Sequence, residues 1–417
     1  MFKAKLLILF FIIFICLATN ASEIDTLQHY NYSLQVMPGK LLAIDKYCKR
    51  WIKKTPNLSV AAEIGRVALP QDSDAFASDF GYPSLTFGLR YTFNDKIRLH
   101  RNPDAAWGMA KEVNYDSHLG NTFSLYGQFY RPFFRHKHFE TAYSFSFGLG
   151  YSSLKYNKQN DIDNELIGSH ILIYFGAGLY ATYHLTHQWG IRAGLELVHH
   201  SNGALYRPNK GSNVVGPSVG LVYEHSYKLL VNTAHPCFYQ PFQCYCYLNF
   251  AVGIGAKTML EDWQLTQFYT PSTSLNYRKE NFHIYTAYSL QADVMYRYAR
   301  RWASGMGVDL FYGTYAEHIA QLDVLQGYHL KHSPWSLGIA AKHEVFYHNL
   351  SLNISLGYYL HRYMGHNALA NEAKYYERIG LNYTFPCLQG FKVGFNVKAH
   401  ITKADLTEVV LSYPLKL

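Results

Sequence analysis

The sequence predicts an all-β protein: an antiparallel transmembrane β-barrel of about 14–16 strands. Three observations carry this. Apolar residues make up 49% of the chain but alternate with polar ones, and after residue 17 no stretch reaches the ~18 continuous apolar residues of a membrane helix. Aromatic residues reach 17%, with 37 Tyr and 26 Phe, the content expected of the girdles around a barrel. The chain also opens like an export signal: Lys3 and Lys5, the apolar run Leu6–Leu17, then Thr19-Asn20-Ala21 as a cleavage site. A secreted, soluble all-β protein is the alternative.

Taken in order, residues 1–21 read as the signal peptide. Ile15 precedes Cys16 where a lipoprotein signal needs a small residue. Residues 22–57 form an N-terminal segment in which Lys46–Lys54 are basic with aromatic interleaving. That stretch reads either as contact with an anionic membrane surface or as a solvated linker. Five cysteines remain after cleavage: Cys48, Cys237, Cys244, Cys246 and Cys387. An odd number leaves at least one thiol unpaired within the chain, and the cluster at 237–246 leaves room for a local disulfide. Its spacing does not match a zinc site.

From Leu58 onward fifteen alternating segments follow, near 58–69, 83–94, 121–135, 139–156, 168–185, 188–200, 214–228, 246–257, 282–297, 302–315, 335–347, 350–362, 375–385, 391–402 and 406–416. Leu350, Leu352, Ile354, Leu356 and Tyr358 alternate with Ser351, Asn353, Ser355 and Gly357, giving one face for lipid and one for a polar lumen. Bacterial barrels have even strand numbers, and His29–Val36 is the candidate for a missed strand. The short turns Arg135–His138 and Thr186–Gln188 then lie in the periplasm, with 95–120, 157–167 and 201–213 outside. These segments are read as one barrel, 58–245 continuing into 246–417. Two tandem eight-stranded barrels joined near 229–245 are the less favoured arrangement, because no internal repeat supports them.

The chemistry gathers at the end of one strand. Ile191, Ala193, Leu195 and Leu197 share a face with His199 and Ser201, while Arg192, Glu196 and His200 take the other. His199 and Ser201 are thereby a candidate base and nucleophile on the lipid side, and His200 is rejected as the base. The competing reading of Asn202-Gly203 is a tight turn with no catalytic role.

The run His199-His200-Ser201-Asn202, with Asn209 and a glycine after it, resembles the active-site signature of PagL-type lipid A 3-O-deacylases. The resemblance covers roughly Leu58 to Tyr227. It implies an outer-membrane serine esterase of a Gram-negative bacterium that removes an ester-linked acyl chain from lipid A, without a metal or other cofactor. By position, Ser201 would be the nucleophile, His199 its base, and Asn202, Gly203 and Asn209 would position substrate or meet the oxyanion. The family carries an acid twelve residues after the serine; this chain has Asn213. An asparagine can hold an imidazole tautomer, but it cannot offset imidazolium charge, so a slower reaction is expected.

The expected partners are lipopolysaccharide and the membrane, with a homodimer as a further candidate and no nucleic acid. The formal charge of +9 suits lipid phosphates. Asp161, Asp163 and Glu165 read as a solvated loop, with Ca²⁺ binding as the less favoured alternative. The 21 histidines, among them His343, His348, His361, His366 and His400, show no metal-ligand spacing and read as lumen or interface residues. The reading from another functional class is a non-enzymatic barrel, either a porin-like channel or an adhesion or assembly component. Residues 246–417 receive no separate role.

Overall fold

A computed structural model describes residues 29–232, 241–401 and 403–417. The signal peptide and Cys237 lie outside the described residues. The chain forms two compact units, Met1–Asn202 with Pro208–Tyr239, and Gly203–Arg207 with Gln240–Leu417. No described helix is long and apolar enough to cross a membrane.

In the first unit the strands are β1 (Tyr30–Leu41), β2 (Ile52–Lys54), β3 (Pro56–Val67), β4 (Ser84–Phe93), β5 (Arg98–Leu99), β6 (Thr122–His136), β7 (Phe139–Ser152), β8 (Ile171–His184), β9 (Trp189–Ser201) and β10 (Ser212–Glu224). Eight of them close an antiparallel barrel in the order β1-β10-β9-β8-β7-β6-β4-β3, while β2 and β5 form a separate small ribbon. The second unit holds β11 (Tyr245–Thr258), β12 (Ile284–Ala299), β13 (Trp302–Gly313), β14 (His332–Tyr347), β15 (Leu350–Met364), β16 (Tyr375–Phe385), β17 (Phe391–His400) and β18 (Lys403–Lys416). They close a second barrel in sequence order, with β11 pairing both β12 and β18.

All fifteen segments are strands, and the sixteenth is β1, at the position of the missed-strand candidate. The single-barrel arrangement is corrected: the sixteen strands make two closures of eight. The reason lies in β1. It pairs β3 on one side and β10 on the other, so it occupies the edge that a single barrel would have to offer to β11. Segment 22–57 is therefore not merely a lead-in, because its first strand seals the first barrel.

The lipid/lumen alternation is realised in both units. Leu179, Leu195, Leu197 and Leu221 are exposed outward on the first barrel, and Val252, Ile254, Leu356 and Leu411 on the second. Both interiors are filled with paired polar groups. In the first, Glu63 accepts from Ser33 Oγ (2.8 Å), Tyr126 OH (2.9 Å) and Tyr130 OH (3.0 Å), and Arg90 pairs with Glu196 at 2.5 Å. In the second, Lys342 sits between Asp293 (2.6 Å) and Asp309 (2.7 Å), and Arg378 pairs with Glu408. The cavity beside that network measures about 30 Å³, a space for water rather than solutes.

Loops 95–120 and 157–167 pack together at the end of the first barrel where β9 gives way to β10. Here a second expectation is corrected. Asp161, Asp163 and Glu165 are buried, not solvated. Arg101 pairs with Glu165 at 2.6 Å and approaches Asp163, Tyr47 OH donates to Glu165, and Asp161 accepts from the His118 N–H and from Asn164 Nδ2. A buried guanidinium takes the place of the suggested Ca²⁺, since buried charge requires a partner. Cys48 is buried in the same layer, and burial pushes its thiol up to about 12. Cys244, Cys246 and Cys387 are exposed free thiols, so no disulfide joins 244 to 246.

Candidate active site

Strand β9 delivers the site by its alternation. Leu195 and Leu197 point outward, His199 and Ser201 follow on the same face, and Glu196 and His200 point inward. His199 Nε2 lies 2.9 Å from Ser201 Oγ, and His199 Nδ1 lies 2.8 Å from Asn213 Oδ1. With Asn213 Oδ1 accepting, Nδ1 carries the proton and the Nε2 lone pair faces the serine hydroxyl, the tautomer that a general base needs. Among the described residues, the two that hydrogen-bond the His199 ring are therefore the serine and the asparagine, with no loop carboxylate in the place of Asn213. His200 is spent inside the barrel, where Nε2 bonds Ser124 Oγ at 2.8 Å and the ring packs edge-on to Tyr174.

Register explains why Asn213 meets His199. Residue 213 is directly opposite His199 in the β9–β10 ladder, so a side chain there reaches the imidazole without reaching across the sheet. The connection between them is shaped by small residues. Gly211 has φ +75°, and a Cβ on it would come within 2.7 Å of His199 Cε1, so glycine is required both for the backbone and for room beside the ring. Sequence reasoning gave Gly211 no role; the sign was a glycine two residues before Asn213 at a strand entry. Lys210 N–H and Gly211 N–H donate to the carbonyls of Glu165 and Leu166, which fastens this loop to the buried acidic one.

The other expected residues lie in the loop that follows β9. Asn202 is buried, and its N–H donates to Asn209 Oδ1 at 3.0 Å, a bond that ties the loop across seven residues and engages that N–H. Gly203 takes φ +62° and groups with the second unit, where its carbonyl accepts from Thr407 Oγ1 (2.6 Å).

Among the described residues one trio has metal-ligand geometry, Glu372, His400 and Asp405 in the second barrel. Its carboxylates are already engaged by cations: Asp405 by Lys257 and by Lys398 (2.8 Å), and Glu372 by Arg362. A metal ion would have to displace them.

Comparison with known proteins returned two family models and a set of solved barrel structures. Residues 85–222 match the family model of lipid A 3-O-deacylase (PagL), and residues 246–417 match the model of the acyloxyacyl hydrolase C-terminal domain. Among solved structures, the outer-membrane enzyme PagL is 13% identical over 46% of this chain and 98% of its own, with a TM-score of 0.28. Neisserial surface protein A is 12% identical over 47% of this chain and 96% of its own, also at 0.28. A Rh. blastica porin variant is 7% identical over 93% of this chain and 99% of its own, at 0.16. No curated protein matches the chain. The first model falls on strands of the first barrel and the second on the whole of the second barrel, so the chain resembles lipid A 3-O-deacylases over residues 85–222 and the acyloxyacyl hydrolase C-terminal domain over residues 246–417.

Proposed function

We propose that this protein is an outer-membrane serine esterase that hydrolyses an ester-linked acyl chain of lipid A. The observation that carries the reading is the Ser201–His199–Asn213 relay, with both imidazole nitrogens in hydrogen-bond contact, on the outward face of β9. His199 takes the Ser201 proton as Oγ attacks the acyl carbonyl, then protonates the departing sugar hydroxyl. The tetrahedral oxyanion requires donors, and the side-chain amides of Asn202 and Asn209 are the groups assigned to it. Water, deprotonated by the same histidine, then frees the fatty acid and restores the serine. Ser201 continues the lipid-side face of β9 but is itself buried, so the ester of an outer-leaflet lipid would reach it by entering beside the β9–β10 loop. Both barrel interiors are occupied by paired side chains, which counts against a porin-like reading.

The test is mass spectrometry of lipid A from cells producing the protein or its Ser201→Ala variant. Loss of one acyl mass with the native chain alone supports the esterase and identifies the chain cut. Unchanged lipid A in both, with the barrel folded in the outer membrane, overturns it.

A further inference from the structure

The basic stretch 46–54 is the sequence feature that the esterase reading leaves unused. It leaves the barrel wall at the site itself. Leu41 pairs with Val214 at the end of β1, and Leu42 N–H donates to the backbone carbonyl of Asn213, whose side chain holds His199. Asp45 then caps a helix, Lys46–Trp51, by accepting from the Cys48 N–H at 2.6 Å. The helix is pinned by its inner face. Cys48 and Trp51 are buried in one cluster with Met37, Ile97, Leu119 and Val214. Lys210, on the β9–β10 loop, lies 3.6 Å from Asp45 and 4.6 Å from the Tyr47 ring centre. The helix and the catalytic loop are thus fastened to each other.

Its outer face is cationic. Lys46 and Lys49, one turn apart, are exposed on the helix, and Lys53 and Lys54 are exposed on β2. The neighbouring charges are accounted for: Arg50 is paired with Asp104 at 2.6 Å, Lys210 with Asp45, and Lys53 Nζ donates to the Arg50 carbonyl. No ion pair or hydrogen bond among the described residues engages the Lys46, Lys49 or Lys54 ammonium groups. Of the neighbouring carboxylates, Asp163 and Glu165 are buried against Arg101, while Asp45 and Asp104 are engaged by Lys210 and Arg50. Three unpaired ammonium groups are thus carried on a segment pinned beside the β9–β10 loop.

We propose that Lys46, Lys49 and Lys54 dock the phosphate groups of the lipopolysaccharide substrate, holding its headgroup at the mouth of the barrel while the acyl ester lies at Ser201. This rests on the esterase reading for the identity of the substrate. The lysines act in binding and take no part in the bond-making steps. Each cation near an anionic lipid surface strengthens binding severalfold, so removing three weakens it by about tenfold or more, with a smaller dependence on salt.

The test is made in neutral-detergent micelles with full-length Ser201→Ala and with Ser201→Ala carrying Lys46→Gln, Lys49→Gln and Lys54→Gln. Binding is measured to lipid A, to phosphatase-treated lipid A and to phosphatidylglycerol, with circular dichroism to confirm folded barrels. The proposal expects about tenfold loss on lipid A only, erased by high salt, and weak binding of phosphatidylglycerol by both proteins. Equal binding by both proteins overturns it. So does an equal loss on phosphatase-treated lipid A, which would mark a structural role, or tight phosphatidylglycerol binding, which would mark a general anionic-membrane patch. A native chain that binds through these lysines but cleaves nothing refutes the esterase reading and leaves the docking site standing.

Discussion

Asn213 stands where the resemblance leads one to expect an acid, and its contact with His199 is the point at which the proposed site is most easily tested. Its carbonyl oxygen lies 2.8 Å from His199 Nδ1 and can fix the tautomer, but it carries no charge to stabilise the imidazolium that the proposed attack by Ser201 would form. Asn213→Asp is expected to raise kcat by roughly tenfold, because an ionised acceptor makes a charge-assisted bond. Asn213→Ala, which frees the ring, is expected to lower kcat by about a hundredfold, with KM little changed. Kinetics on detergent-dispersed lipid A checks both, and a faster alanine variant would show that Asn213 does not orient the base. Gly211 gives a steric counterpart. Gly211→Ala places a methyl 2.7 Å from His199 Cε1 at a positive φ, and activity is expected to fall at least tenfold while the barrel still folds.

At the scale of elements, the buried acidic loop gives a pH dependence with a definite sign. Asp161 lies outside the membrane-spanning strands, and burial raises its carboxyl from its ordinary value to about 6. The fold therefore favours its protonated form. The contribution is fully present below about pH 4 and is lost as pH rises through 6, by about 3 kcal/mol at most. Hydrogen exchange in residues 153–167, corrected for intrinsic rates, should report weaker protection at pH 7.5 than at pH 4.5, and Asp161→Asn should remove the difference. Inside the first barrel the wall depends on Arg90–Glu196, both residues almost wholly buried. Glu196→Ala leaves a guanidinium in the lumen without its partner and is expected to destabilise the barrel by about 3–5 kcal/mol, read as a lower urea midpoint. The strands themselves were legible because lipid outside and polar groups inside impose a strict period of two. The Arg101–Glu165 contact was not, because it joins residues sixty-four positions apart that only barrel closure brings together.

At the scale of the whole molecule, two closures of eight strands share no strand pairing. Each sheet satisfies its own edges, as a membrane-spanning sheet must. A chain ending near residue 240 is therefore expected to fold as a barrel by itself, shown by heat-modifiable migration on gels and a β-type circular dichroism spectrum. Failure to fold would show that β11–β18 is needed to form the first sheet.

The sequence by itself determined the all-β class, the positions of the sixteen strands once His29–Val36 is counted, the face on which each side chain lies, and His199 and Ser201 as a pair on one wall. These follow from alternation, a local property of two-residue period. Only the tertiary structure decided how many barrels the strands make, that Asp161, Asp163 and Glu165 are buried, the last two against Arg101, that Asn213 meets His199, and that a lysine-bearing helix lies fastened to the β9–β10 loop. Those outcomes depend on which edges pair and which loops meet. Edge pairing is settled by closure of the whole sheet, so it leaves no mark on any short stretch of chain.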